Sequence, residues 1–129
     1  MKVLIDTQSI IWFAENNTQL SRKACAVIEN TENQCFVSMA SFWEMSIKMS
    51  LGKLSINGLS LLEFMNEVSE ANFSFLDIRR EHIIENTKLP FYHRDPFDRL
   101  IIAQALVDNL SIISSDEAFD SYPITRIWK

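Results

Sequence analysis

The chain has 129 residues, 47% of them apolar, which is enough for a buried core, and we expect a single domain over residues 1–129. Its formal net charge of −5 argues against a protein that holds nucleic acid through a basic surface alone. Asp6 interrupts the first apolar run, and no run approaches the ~18 residues of a membrane span, so we expect a soluble, cytoplasmic protein without a signal peptide or membrane contact.

Apolar runs alternate with helix-like segments through the first half of the chain. Residues 2–5 (KVLI) and 35–38 (CFVS) have the length and composition of buried strands. Helices are predicted over residues 8–15, from 20 to about 32, and over 41–51. The third helix is expected to bury most of its apolar side chains, namely Phe42, Met45, Ile47, Met49 and Leu51.

The second half of the chain continues the alternation. A helix over residues 61–71 begins at Ser60, and Glu63 completes a capping box with it. The remaining segments are a strand over 73–78, a helix over 80–88, a helix from 96 to about 109, a strand over 111–114, a helical turn over 117–121 and a strand over 124–128. Strands that alternate with helices predict right-handed crossovers and an α/β fold, with a mostly parallel five-stranded sheet covered on both faces.

Four acids lie where strands end or helices begin. Asp6 follows the first strand, Glu44 lies in the helix after the second, Asp98 lies two residues after Pro96, and Asp116 follows the fourth strand. Because a parallel sheet gathers the carboxyl ends of its strands at one edge, these side chains are expected to meet there. Close carboxylates repel one another unless a cation lies among them, and oxygen ligands suit Mg²⁺ or Mn²⁺.

Helix capping is the structural alternative for each acid. Asp6 and Asp116 precede predicted helices, and Asp95 stands directly before Pro96, where an N-cap is expected. Ser41 and Glu44 have the spacing of a capping box. Ser, Thr or Asn would cap equally well without repulsion, so four carboxylates at one edge favour a metal site over caps alone.

Carboxylates around a metal, with neither a Ser/Cys–His pairing nor a P-loop, favour hydrolysis of a phosphodiester. His93 is a candidate general base, although a loop position or a phosphate contact fits it better, and His82 is expected on a helix face. A nucleic-acid substrate would need the metal or a local basic patch. Residues that could form such a patch are Arg79, Arg80, Lys88, His93, Arg94 and Arg99, for most of which a solvated surface position is the alternative.

The ordered set of acidic segments resembles the PIN-domain nucleases over nearly the whole chain. The segments are LIDT at 4–7, SFWEMSIK at 41–48, RDPFDRLIIAQA at 94–105 and SSDEAF at 114–119. Within them, FWE…K…GKL and HRDPFDRL are similar to the VapC-type toxins of bacterial toxin–antitoxin pairs. The resemblance implies a three-layer α/β/α PIN-like domain that cleaves RNA with Mg²⁺ or Mn²⁺. The implied catalytic and metal-binding residues are Asp6, Glu44, Asp98 and Asp116.

The same resemblance implies further residues and partners. Asp95 is an extra acid whose role it leaves open, and Thr7 and Ser115 match small hydroxyl positions that steady the site. Besides an RNA substrate, we expect a homodimer and a cognate antitoxin, with DNA reached only through that antitoxin. The antitoxin is expected to place an Arg or Lys among the acids and to lie across an apolar groove. Candidate groove residues, for which a core position is the alternative, are Trp12, Phe13, Trp43 and Ile47.

Two other functions compete with the nuclease. LIDT is similar to the nucleophile motif of haloacid-dehalogenase-like phosphatases, but Gln8 stands where that motif requires a second Asp. A receiver-like signalling or binding module also gathers acids at a sheet edge, and Asp77 could be its phosphate acceptor. Such a module needs a Lys near its fifth strand, and no Lys precedes that strand here.

Overall fold

The computed structural model describes residues 1–129 and is built on five strands, all paired in parallel. Their order across the sheet is β3-β2-β1-β4-β5, so that β1 lies in the centre. Val3 of β1 stands opposite Cys35 on one side and Ser111 on the other. The strands are β1 (Lys2–Ile5), β2 (Gln34–Ser38), β3 (Ser74–Leu76), β4 (Ser111–Ile113) and β5 (Arg126–Ile127).

Helices cover both faces of this sheet, which confirms the predicted three-layer α/β/α architecture. Successive residues of β1 point to opposite faces, so Val3 and Ile5 enter one apolar cluster while Leu4 enters the other. No helix combines the length and apolar character needed to cross a membrane. The helices are α1 (Thr7–Ala14), α2 (Arg22–Glu29), α3 (Met39–Ser50), α4 (Leu61–Glu70), α5 (Arg80–Asn86) and α6 (Pro96–Asp108), with a 3₁₀ helix at Glu117–Ser121.

The largest local difference from the sequence prediction is the start of α3. The helix begins at Met39, and Ser38 caps it by accepting a hydrogen bond from the backbone N–H of Ala40 at 3.0 Å. The predicted capping box of Ser41 and Glu44 is therefore wrong. Ser41 and Glu44 both lie inside the helix and do not close its first turn. Their side chains are buried.

The predicted burial along α3 is also only partly correct. Phe42 and Met45 enter the core, whereas Ile47 is 37% exposed and Leu51 is 61% exposed. Ile47 and Leu51 follow Trp43 at intervals of four, which places all three on one solvent-facing side of the helix. This exposed apolar row begins next to Glu44.

Other elements are shorter than predicted because their ends lack partners. The strands expected over 73–78 and 124–128 contain three and two residues, since β3 and β5 lie at the sheet edges and each pairs on one side only. The second helix covers residues 22–29, because Ser21 caps it and accepts a hydrogen bond from Ala24 N. The capping box of Ser60 and Glu63 is confirmed.

Candidate metal centre

The four predicted acids line one cavity at the carboxyl edge of the sheet. Asp6 follows β1, Asp116 follows β4, Glu44 lies on α3 after β2, and Asp98 lies in the first turn of α6. The cavity has a volume of about 410 Å³. It is lined by Asp6, Thr7, Gln8, Ile11, Glu44, Lys48, Lys53, Leu54, Asp98, Ser115 and Asp116.

Asp6 forms part of the inner wall and also caps α1. Its side chain is buried and accepts a hydrogen bond from the N–H of Ser9 at 2.9 Å. Burial raises the pKa of Asp6 above its usual value, and the charge of Asp116 adds to this rise, while hydrogen bonds from Ser114 and Ser9 oppose it. Capping and a place in the acidic cluster are thus compatible roles for this residue.

Glu44 is buried with its two carboxylate oxygens in different environments. Oε2 pairs with Lys48 Nζ at 2.7 Å, one helical turn further along α3. Oε1 is buried and has no hydrogen-bond partner. Burying such an oxygen without a partner is unfavourable, so Glu44 has an unmet demand for a hydrogen-bond donor or a cation.

Asp98, in the first turn of α6, also has a strongly raised pKa. Burial, followed by the charge of Asp95, raises the pKa of Asp98 to about 7. Asp6 and Glu44 add to the repulsion, and His93 opposes it. Asp95 itself does not line the cavity; it caps α6 by accepting hydrogen bonds from Phe97 N at 2.9 Å and Asp98 N at 3.0 Å. The predicted N-cap is therefore present, and Asp95 acts on the site through its charge.

The two predicted hydroxyl residues are both at the cavity, but only one is buried. Thr7 Oγ1 donates a hydrogen bond to Ser41 Oγ at 2.9 Å, which ties the start of α1 to α3 beneath the acids. Ser115 is exposed at the rim beside Asp116. The hydrogen bond of Thr7 consequently fixes α1, which follows Asp6, relative to α3, which carries Glu44.

His93 contributes to the site more directly than the sequence indicated. Its Nε2 lies 2.8 Å from Asp116 Oδ2 and 3.2 Å from Asp98 Oδ2. One potential ligand atom from each of these three residues lies within 4.8 Å of the others. The available signal was the position of His93 five residues before Asp98, in the loop that leads into α6.

Lys48 and Lys53 are the cavity residues that sequence reasoning missed as functional candidates. The spacing of Glu44 and Lys48, four residues apart in a predicted helix, was the signal that could have identified the first of them. The hydrogen bond with Glu44 is the main reason that the pKa of Lys48 is raised. These two lysines provide positive charge on one side of an otherwise acidic cavity.

Half of the basic patch suggested by the sequence is committed to internal contacts, whereas Arg80, Lys88 and Arg94 are exposed. Arg79 pairs with Asp108 on α6. Arg99 is buried and donates hydrogen bonds to carbonyl oxygens of the loop before α6, those of Asn86, Leu89, Pro90 and His93. The loop that carries His93 is therefore held in place by Arg99.

The donor set fits a hard divalent cation. Four carboxylates line the cavity, and one of these acids, Glu44, has a buried oxygen without a hydrogen-bond partner. The pKa values of Asp6 and Asp98 are raised mainly because burial disfavours their ionised forms, and neighbouring carboxylates add to both rises. A bound cation would offset the charge of these carboxylates.

Comparison with known proteins places this arrangement in a family. The sequence model of the PIN domain matches residues 3–124. The chain belongs to the PIN domain family. PIN domains are generally nucleases, and the matched span contains all four acids of the cavity. Family membership argues against the phosphatase-like and receiver-like alternatives.

Solved structures similar to this PIN domain support the same fold. A chain in VapBC2 from Rickettsia felis bound to a promoter DNA fragment has a TM-score of 0.73 at 13% identity, with 100% of both chains covered. A toxin–antitoxin complex from Klebsiella pneumoniae contains a chain with a TM-score of 0.61 at 18% identity, covering 94% of this chain and 92% of that one.

The PIN domain endonuclease Utp24 is a more distant match, with a TM-score of 0.54 at 12% identity over 99% of this chain and 86% of that chain. No curated protein matches this PIN domain significantly in sequence. At these identities the solved structures establish the fold.

Proposed function

We propose that this PIN domain is a divalent-metal-dependent endoribonuclease that acts as the toxin of a toxin–antitoxin pair. The observation that carries the proposal is the convergence of Asp6, Glu44, Asp98 and Asp116 on one cavity. Membership of a family of nucleases supports hydrolysis of a phosphodiester, and the fold shared with chains of VapBC complexes supports the toxin role. We propose that the protein works in the cytoplasm.

Mg²⁺, with Mn²⁺ as a substitute, is the proposed cofactor because carboxylate oxygens are its preferred protein ligands. Asp6, Glu44, Asp98 and Asp116 would hold it. When bound, the cation would lower the pKa of a water molecule and offset charge that develops on the phosphate. Thr7 and Ser115 would steady the surrounding backbone.

The two cavity lysines suit the phosphate backbone of RNA. Lys53 lines the cavity without an ion pair in the structure, whereas Lys48 already pairs with Glu44. Lys53 would therefore contact a phosphate next to the scissile bond, and Lys48 would keep Glu44 oriented. Local positive charge of this kind compensates for the overall net charge of −5, which by itself repels RNA.

The exposed row on α3 supports binding of an antitoxin. Trp43 is 57% exposed and packs edge-on against Phe97, and Ile47 and Leu51 continue the apolar surface. Trp12 and Phe13 are partly buried and packed against Trp128 and Phe73, so they contribute less than the sequence suggested. An antitoxin segment lying on this row would bring an Arg or Lys to the acids beside it.

Such a segment is expected to be disordered when free and to fold on binding. Its cation would neutralise the acids and displace Mg²⁺, and complementary charge would speed association. The antitoxin would also supply all DNA binding. We propose in addition that the chain forms a homodimer, whose test is the molecular mass in solution at several concentrations.

The direct test of the activity uses purified protein and single-stranded RNA with Mg²⁺, against the same reaction containing EDTA. Asp6→Asn removes one proposed ligand, and Asp77→Asn is the matched control because Asp77 is an exposed acid that does not line the cavity. We expect cleavage by the wild type and by Asp77→Asn only, and none in EDTA. Cleavage by Asp6→Asn at the wild-type rate would refute the metal site.

The toxin role needs a separate test in cells. Expression of the chain alone should arrest growth, and co-expression of the protein encoded directly upstream should restore it. The Asp6→Asn variant should be harmless at the same expression level. Normal growth during expression of the intact chain would overturn the toxin role while leaving the nuclease assignment to the RNA assay.

A further inference from the structure

His93 has different partners on its two ring nitrogens. Its Nε2 faces the carboxylates of Asp116 and Asp98, at 2.8 and 3.2 Å. Its Nδ1 accepts a hydrogen bond from the backbone N–H of Asp95 at 3.2 Å. A backbone N–H is always a donor, so Nδ1 must offer a free lone pair and cannot carry a proton.

These partners fix the position of the ring proton. With Nδ1 unprotonated, the single ring proton lies on Nε2, which can then donate it to the carboxylate oxygens. A carboxylate facing Nε2 accepts such a bond, so the assignment is consistent on both sides of the ring. In this geometry Nε2 has no lone pair with which to ligate a metal or to remove a proton from water.

The ring is also held mechanically. It stacks on Phe119 with the ring centroids 5.4 Å apart and an interplanar angle of 30°. The backbone N–H of His93 donates to the hydroxyl of Tyr122 at 2.9 Å, and its carbonyl accepts from Arg99 at 3.4 Å. The ring is thus restrained by stacking, by backbone hydrogen bonds and at Nδ1. These restraints keep Nε2 directed at Asp98 Oδ2 and Asp116 Oδ2.

We propose that His93 is a positioning residue: it donates its Nε2–H to Asp116 and Asp98 and sets the orientation of their oxygens for the cation. The inference rests on the proposed function in that it concerns the same acids. It assigns His93 neither the role of general base nor that of metal ligand. Groups that orient metal ligands through hydrogen bonds typically change metal affinity or activity by roughly 10- to 100-fold when removed.

The first test measures the ring proton directly and requires neither metal nor RNA. Two-bond ¹H–¹⁵N correlation spectra of histidine-labelled, metal-free protein near neutral pH report which ring nitrogen carries the proton. We expect a protonated-type shift for His93 Nε2 and an unprotonated-type shift for Nδ1. The reverse assignment, or protonation of both nitrogens, would overturn the proposal.

The second test separates the N–H donor from the ring. His93→Phe keeps a flat ring for stacking on Phe119 and removes the donor, whereas His93→Gln keeps an N–H near the Nε2 position and removes the ring. Calorimetric titration with Mn²⁺ should show affinity weakened by roughly 10- to 100-fold in His93→Phe and largely retained in His93→Gln. Equal affinities for wild type and His93→Phe would overturn the proposal.

Further outcomes separate the positioning role from metal binding by His93 and from the proposed ribonuclease activity. Nitrogen hyperfine coupling to bound Mn²⁺ in the wild type would make His93 a ligand and overturn the positioning role. If His93→Phe does not fold, His93→Leu, which also lacks an N–H donor, takes its place in the titration, and the ring-proton measurement on the wild type is unaffected. A protein with the expected tautomer and Mn²⁺ affinities that cleaves no RNA would support the positioning role and refute the proposed ribonuclease.

Discussion

The two histidines of this chain form nearly the same contacts in two different settings. His82 accepts a hydrogen bond at Nδ1 from Arg79 N at 3.0 Å, and its Nε2 lies 3.0 Å from Asp108 Oδ2. His93 repeats this pattern with Asp95 N and Asp116. The local geometry of a histidine–aspartate contact therefore does not reveal whether the contact is structural or functional.

The surrounding charge distinguishes the two clusters. Burial alone would raise the pKa of Asp108, but hydrogen bonds from Arg79 and His82 outweigh it and hold that pKa below its usual value. Around His93, burial and neighbouring acids raise the pKa of Asp98 to about 7. The first cluster contains its own counter-charge and joins α5 to α6. The second has a deficit of positive charge, which a cation from solution can fill.

Identical substitutions in the two clusters should have opposite consequences, and this is the largest expected effect. Asp98→Asn should lower RNA cleavage by about 10³-fold or more, since metal-assisted stabilisation of several kcal/mol is lost. Its metal-free thermal midpoint should not fall, because repulsion is relieved. Asp108→Asn should keep activity and lose about 1–3 kcal/mol of unfolding free energy. Comparable activity losses in both variants would abolish the distinction.

The next prediction separates the two acids of the α6 N-terminus. Asp95→Ser should retain most of the cleavage rate, because Ser caps a helix about as well as Asp and the residue does not line the cavity. Asp98→Asn serves as the inactive reference, and turnover with saturating Mg²⁺ is the measurement. Equally severe losses would place Asp95 among the metal-binding acids and refute an indirect role.

The structural cluster should also have a defined pH dependence. Because the pKa of Asp108 is lowered on folding, its contribution to stability is fully present above the unfolded value near 3.9 and is lost as pH falls through the folded value. Denaturant unfolding of wild type and Asp108→Asn should differ by about 1–3 kcal/mol at neutral pH and converge in acid. A constant difference down to about pH 2 would contradict this linkage.

The smallest expected effect concerns the cavity lysines. Lys53→Gln should raise KM for RNA by about fivefold or less and leave kcat nearly unchanged, because an exposed charge contributes about 1 kcal/mol at most. The effect should shrink as salt is added. Lys88→Gln, outside the cavity, is the control. A change confined to kcat would show that Lys53 acts in the chemical step and not in substrate binding.

The sheet and the placement of the acids could be predicted because both follow from strong, local signals. Buried strands read as apolar runs, and parallel topology brings residues such as Asp6 and Asp116 to one edge whatever the helices do in detail. The start of α3 was missed because Ser38 and Ser41 are both suitable caps, and only packing selects between them.

The environment of His93 could not be predicted for a different reason. Its loop has no regular structure, and its backbone N–H is held by Tyr122, 29 residues further along the chain. The carbonyl partners of Arg99 are likewise invisible in a sequence, where a buried arginine cannot be told from one that binds RNA. The conformation of such a loop depends on long-range contacts of single polar side chains. These contacts leave no periodic pattern in the sequence.

The segment Asp95–Arg99 combines a helix cap, a cavity acid and the side chain that braces the preceding loop within five consecutive residues. One residue inserted between Asp98 and Arg99 would turn everything beyond it by about 100° around the helix axis. Asp98 and Arg99 could not then both keep their directions. Chain length is consequently constrained here, whereas Asn57 and Gly58 are exposed turn residues outside the acidic cavity, where an inserted residue would move none of the four acids.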